Sequence, residues 1–242
     1  MKLTVLGKYG PFSKAGGGTS SYLFQGGGKN ILLDAGEGSF SRLCKFIEPN
    51  SLDAIILTHS HYDHICDVGI YGYYFESLLR RDKSAYKPVI YLFNDKTPYI
   101  SAIANMPFFT VRDIYDGMKT NIGDLLVEFI AVKHPVPCYA VKISDGNKKF
   151  VYTGDTNVFD GLENLVGAAD TFLADGCFLH SDWTEDKPHL SVKIISELTK
   201  KCGNRAIISH LNPLYDELEI EAEIKNCHGN ASVADEGKAY EL

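Results

Sequence analysis

Apolar positions along this chain change period several times, and the changes mark out its elements. Short apolar runs at 2–6, 20–25 and 29–34 stand between glycine clusters. That is the pattern of strands joined by tight turns, with a hairpin around Gly26-Gly27-Gly28. Residues 39–47 read as a short helix ended near Pro49, and 53–57 as a strand. The period then lengthens. Over 65–81, Val68, Tyr71, Phe75, Leu78 and Leu79 recur at helical spacing, which predicts an amphipathic helix. Tyr71, Tyr73, Tyr74 and Phe75 belong to the core more readily than to the wall of a pocket, and Arg80, Arg81 and Lys83 read as a solvated helix end. A strand at 89–93 and a helix at 97–105 follow. From 110 onward the pattern is β again, with strands at 110–116, 124–132, 138–144 and 148–153, the last two turning at Asp145-Gly146-Asn147. The last third alternates: strand 171–174, helix 192–202, strand 205–209, helix 217–226 and a short strand at 238–242. No proline- or serine-rich linker, low-complexity tract or short repeat divides the chain. The expectation is one domain over 1–242, of two half-sheets with helices outside.

Composition narrows the class. The chain has 242 residues, 45% of them hydrophobic, enough for a sizeable core. No apolar run approaches the ~20 residues that span a bilayer, and the opening apolar run is too short for a secretory signal, so a soluble cytoplasmic protein without membrane partners is expected. The six cysteines are widely spaced with no Cys-x-x-Cys pair, which argues against a thiolate zinc site or redox motif, and most of them read as small buried residues. A net charge of −7 disfavours broad electrostatic binding of nucleic acid and favours a small-molecule substrate. Gly16-Gly17-Gly18 lacks the helix start of a phosphate cradle and reads as a turn.

The chemistry concentrates after the strand at 53–57. Leu57-Thr58-His59-Ser60-His61-Tyr62-Asp63-His64 packs three imidazoles and a carboxylate into one loop, a ligand density suited to a pair of metal ions. Further candidates also follow predicted strands: His134 after 124–132, Asp155 in Thr153-Gly154-Asp155-Thr156, and His210 after 205–209. Loops at one edge of a sheet are where an active site is expected. Asp34, closing the third strand, reads either as support for a neighbouring ligand or as a plain turn carboxylate.

In order and spacing, His59-x-His61-x-Asp63-His64, His134, Asp155 and His210 resemble the metallo-β-lactamase superfamily over nearly the whole chain. Gly10-Pro11, Ala15-Gly16-Gly17, Ser20-Ser21-Tyr22-Leu23, His134-Pro135-Val136-Pro137 and Ser209-His210-Leu211-Asn212-Pro213 resemble its ribonuclease Z-like branch, which also holds arylsulfatase-like and phosphodiesterase-like members. The resemblance implies an α/β fold, an αββα sandwich of two facing mixed sheets with helices on the outer faces. It also implies two divalent ions: His59, His61 and His134 on the first, Asp63, His64 and His210 on the second, Asp155 bridging. Nitrogen and oxygen ligands without thiolate suit Zn²⁺, with Mn²⁺ or Fe²⁺ as alternatives. His189, in Pro188-His189-Leu190-Ser191, resembles the non-ligand histidine placed over the site, and Asp175 falls where ribonuclease Z carries a glutamate. That pair is associated with the leaving group. The shorter aspartate leaves a direct contact with His189 open, and a helix N-cap at Ser191 is the competing reading of this segment.

One departure shapes the functional expectation. Bacterial ribonuclease Z inserts a long basic arm between the third histidine motif and the Gly-Asp-Thr aspartate, where this chain has only a tight hairpin between His134 and Asp155. A dinuclear metal-dependent hydrolase of a small phosphodiester or similar ester is therefore expected. The alternatives are an RNA endonuclease, a hydrolase of lactone, thioester or lactam bonds, and a non-catalytic metal-binding protein. A diiron oxygen-reducing role is disfavoured, because His61 stands where that relative has glutamate. A homodimer is compatible with the chain.

Overall fold

The apolar runs of the first half fold as β1 (Lys2–Gly7), β2 (Ser21–Gly26), β3 (Lys29–Ala35), β4 (Ala54–Ile56), β5 (Val89–Leu92) and β6 (Thr110–Asp113), with helices α1 (Ser39–Leu43), α2 (Tyr62–Ile65), α3 (Val68–Arg81) and α4 (Pro98–Ala104) between them. The second half supplies β7 (Lys119–Ile122), β8 (Leu125–Ala131), β9 (Tyr139–Ser144), β10 (Lys149–Tyr152), α5 (Leu162–Gly167), β11 (Thr171–Asp175), α6 (Val192–Cys202), β12 (Arg205–Ser209), α7 (Glu217–Cys227), β13 (Ala231–Val233) and β14 (Ala239–Glu241). This is a computed structural model; it describes residues 1–82 and 86–242, so Lys83 of the expected helix end lies outside the described residues.

The strands form two seven-stranded sheets, ordered β14-β1-β2-β3-β4-β5-β6 and β13-β12-β11-β10-β9-β8-β7. Both are mixed: β1, β2 and β3 pair antiparallel before β4, β5 and β6 join in parallel, and the second sheet turns parallel at β10 and β11. Residue alternation then builds the layers. Tyr22, Phe24, Ile31 and Leu33 point between the sheets against Phe129, Val141, Phe150 and Leu173, whereas Leu23 and Leu32 point outward to pack with Val68, Tyr71 and Phe75 of α3. On the other side, Val151, Phe172, Ala206 and Ile208 meet Leu162, Ile195 and Ile220 of α5, α6 and α7. Aromatic pairs bridge the inner gap, Tyr22–Tyr152 at 5.1 Å and Phe24–Phe150 at 5.7 Å between ring centroids. The result is the αββα sandwich that the resemblance implies. Among the described residues no helix is long and apolar enough to cross a membrane.

Several expected elements change in detail. The single helix over 65–81 is two, α2 and α3, because the Asp67 amide donates to the Ala35 carbonyl (3.0 Å) instead of continuing the first helix. The Asp67 carboxylate meanwhile accepts from the amide of Phe40 at 3.0 Å, tying the break to α1. Tyr71 and Phe75 are core residues, while Tyr73 faces solvent. Of the cysteines only Cys138 and Cys177 are buried, a correction to the expectation that most are.

Candidate metal centre

Asp34 organises the edge where the two sheets meet. It ends β3 with a left-handed backbone (φ 55°) and is fully buried. Its Oδ1 accepts from the Thr58 amide at 2.7 Å; its Oδ2 accepts from the Thr58 hydroxyl (2.9 Å), His64 Nδ1 (2.7 Å) and, from the facing sheet, the Tyr152 hydroxyl (2.7 Å). The supporting role considered for Asp34 is therefore the geometry observed. With Nδ1 committed to Asp34, His64 turns its Nε2 inward.

The same logic orients two more rings. Because the Thr58 hydroxyl donates to Asp34, its lone pair accepts from His59 Nδ1 (3.0 Å), and His134 Nδ1 donates to the Pro188 carbonyl (3.2 Å). Each leaves Nε2 bare. These two nitrogens both lie 3.1 Å from His61 Nδ1. Burial pushes His59, His61 and His134 below the ordinary imidazole range, which keeps their lone pairs free.

A second set faces the first across Asp155. His210 Nε2 lies 3.1 Å from Asp63 Oδ2 and 3.2 Å from Asp155 Oδ2; His64 Nε2 lies 3.3 Å from Asp155 Oδ1 and 3.5 Å from Asp63 Oδ2. Asp155 Oδ2 also approaches His59 Nε2 at 3.5 Å. Burial works against the charge on Asp155, yet the His210, His64 and His59 imidazoles hold it well below the usual carboxylate range. Burial likewise opposes charge on His64 and His210, but Asp155 above all raises both. Glycine makes room for this set: a Cβ on Gly10 would stand 2.1 Å from His210 Nε2.

These donors fit a metal pair. His64 Nε2 and Asp155 Oδ1 are buried without a hydrogen-bond partner, a costly state for polar atoms unless a cation takes their lone pairs. Neighbouring ligands of a tetrahedral zinc ion stand about 3.3 Å apart, given Zn–N bonds of about 2.0–2.1 Å. The spacings of 3.1–3.5 Å within both sets match that figure.

His189 stands over the centre, its ring centroid 4.8 Å from that of His210 and 5.4 Å from that of His134. The contact left open for Asp175 is made: His189 Nδ1 and Asp175 Oδ2 are 2.6 Å apart. The aspartate reaches because residues 178 and 191 pair in parallel, the Phe178 amide donating to Leu190 O (3.2 Å) and the Val192 amide to Phe178 O (3.0 Å), which lays His189 beside the end of β11. Ser191 also caps α6, accepting from the Ile194 amide (3.4 Å), so the two readings of this segment coexist. The fold thus gathers every candidate residue of the sequence into one place. Thr58, Tyr152, Asn157 and the Pro188 carbonyl were not legible beforehand, since none carries a distinctive spacing. The mouth is a cavity of about 370 Å³ lined by Pro11, His61, Tyr62, Asp63, Asp155, His189 and His210, with no lysine or arginine among the described lining residues.

Comparison with known proteins places the chain among relatives of the same fold. The profile of the Beta-lactamase superfamily domain matches residues 29–210. The probable metallo-hydrolase YhfI of Bacillus subtilis is 28% identical over the full length of both chains. Its crystal structure, that of a metallo-β-lactamase fold protein, superposes with a TM-score of 0.90 over 99% of each chain. A ribonuclease Z from a Bradyrhizobium species is 25% identical, covering 84% of this chain and 87% of its own. A diphosphatase of the PhnP family shares the fold, with a TM-score of 0.76 at 16% identity over 100% of this chain and 97% of that one.

Proposed function

Since this chain belongs to the metallo-β-lactamase superfamily, whose metallo-hydrolases bind divalent metal, we propose that it is a dinuclear hydrolase of small phosphodiesters. His59, His61 and His134 would hold one ion and Asp63, His64 and His210 the other, with Asp155 between them; zinc is the metal the donor set favours, and Mn²⁺ or Fe²⁺ the alternatives. The observation that carries the reading is the pair of buried, unpartnered atoms, His64 Nε2 and Asp155 Oδ1, at the junction of the two sets. Bound there, two divalent ions would supply a hydroxide nucleophile near neutral pH and offset the charge that builds on the phosphoryl oxygens.

The chain's own groups do the rest. Asp34 and the Pro188 carbonyl fix His64 and His134 with their free nitrogens inward. Asp175 accepts a hydrogen bond from His189 Nδ1, which directs the Nε2 edge to give a proton or hydrogen bond to the departing oxygen. Asp175 acts through His189 and is a positioning residue. The small mouth, with no lysine or arginine among its described lining residues, supports a compact diester over a polynucleotide.

The ribonuclease Z relative keeps RNA cleavage as the second reading. Metal content of protein purified without chelator, followed by a panel of bis-nitrophenyl phosphate, acyl esters, lactones and labelled tRNA precursor, separates the readings. Turnover of the diester with about two metal ions per chain supports the proposal. Preferential cleavage of RNA or of acyl bonds would replace it, and metal without any turnover would leave a metal-binding role.

A further inference from the structure

Between β11 and α6, residues 183–189 run beside the site in no helix or strand, so no ladder satisfies their carbonyls. Much of the missing donation comes from one side chain. Asn157, fully buried on the loop after β10, donates from Nδ2 to the carbonyls of Thr184 (3.3 Å), Glu185 (3.3 Å) and Lys187 (2.5 Å). Its Oδ1 accepts from Trp183 Nε1 (3.1 Å) and from the Val158 amide (2.6 Å). The Trp183 N–H is shared with the His189 carbonyl at 3.0 Å. Asn157 is itself anchored on the loop that carries His134, its amide donating to Lys133 O at 3.0 Å.

The segment so held touches the centre at two points. The Pro188 carbonyl accepts from His134 Nδ1 at 3.2 Å, and His189 follows immediately, over the site. We propose that Asn157, with Trp183, is a positioning residue: it clamps residues 183–189 so that Pro188 turns the free nitrogen of His134 inward and His189 stands over the leaving group. The inference rests on the roles given to His134 and His189 above. An asparagine offers two N–H groups and one acceptor oxygen, and here all are engaged by this segment or its root. The rival is a buried amide that satisfies loop carbonyls and contributes stability alone.

Asn157→Asp separates the two, because it keeps the side-chain shape and the acceptor for Trp183 while turning a carboxylate oxygen toward the three carbonyls. The chain has one tryptophan, so Trp183 emission reports on this segment alone. In the zinc-loaded variant, acrylamide quenching of Trp183 should increase, and zinc affinity, measured by chelator competition, should weaken about 10- to 100-fold, as for other groups that orient a metal-binding histidine. The ratio of alkyl to nitrophenyl diester turnover should fall to the value expected of His189→Ala, which lacks the group that serves the leaving oxygen, with no further fall in the double variant. A lowered unfolding temperature with quenching, zinc affinity and ratio all at wild-type values would overturn the proposal. If Asn157→Asp does not fold, Trp183→Phe removes the N–H together with the rest of the five-membered ring, and wild-type zinc affinity and ratio in that variant overturn it equally. Wild-type protein that turns over neither diester defeats the substrate reading; quenching and zinc affinity then decide the clamp by themselves, altered values supporting it and unaltered values ending it.

Discussion

Asp63 Oδ2 sits between His210 Nε2 and His64 Nε2 with its side chain 9% exposed, so the residue belongs to the site and adds little to the core. Burial opposes its charge, yet the His64 and His210 imidazoles hold its carboxyl far below the usual range. Asp63→Ala should therefore remove the second ion and most turnover while shifting the unfolding temperature by only a few degrees, where about 1 kcal/mol corresponds to ~2–4 °C for a chain of this size. Near-normal turnover would mean that the second ion is dispensable. His189 predicts a different signature. Its loss should slow alkyl diesters by ~10²–10⁴-fold, the range of general acid–base catalysis, but nitrophenyl diesters far less, because nitrophenolate barely needs a proton. Equal slowing of both classes with loss of metal would reduce His189 to a structural role. Gly10→Ala places a methyl where the His210 ring now packs, with clearances of 2.1–2.4 Å to its atoms. The ring must move, and zinc uptake at the second set should weaken while the first set still fills; unchanged uptake of both ions, read by chelator competition, would contradict this packing.

At the scale of elements, Asp34 joins β3, the end of β4 and β10 through its carboxylate. Asn there offers one acceptor oxygen in place of two and sets an NH₂ against donors. Asp34→Asn should cost about 1–3 kcal/mol in urea unfolding, the penalty of a buried group left unsatisfied; an unchanged midpoint would show that the network is redundant. Much of this architecture is legible in sequence because alternating and helical periods survive burial: Ile31, Leu32 and Leu33 each go to the layer their period assigns. What escaped has physical causes. β7, Lys119-Thr120-Asn121-Ile122, is an edge strand with only Ile122 buried, and β13 is three residues long, so neither presents an apolar run. α5 spans less than two turns between Gly161 and Ala168. The candidate ligands His59, His61, Asp63 and His64 were legible because their spacing is dense and distinctive, and His134, Asp155 and His210 because they stand in the order of the resemblance. The His189–Asp175 contact was not, because it depends on the pairing of residues 178 and 191 across a loop.

For the whole molecule, the net charge of −7 and the absence of lysine or arginine among the described lining residues favour a small substrate over a long polyanion. We take residues 1–242 as one domain, with β14 from the C-terminus closing the N-terminal sheet beside β1. Thermal unfolding of the metal-free protein should then follow a single transition by far-ultraviolet circular dichroism and by Trp183 emission; two separate midpoints would divide the chain. The central claim, a two-ion hydrolase, is tested most directly by one titration. Metal-free protein is returned stepwise to zinc while hydrolysis of bis-nitrophenyl phosphate is followed. Turnover should remain low through the first equivalent and saturate near about two per chain, because Asp155 serves both sets. Saturation at one equivalent, or full zinc occupancy without turnover, would contradict it.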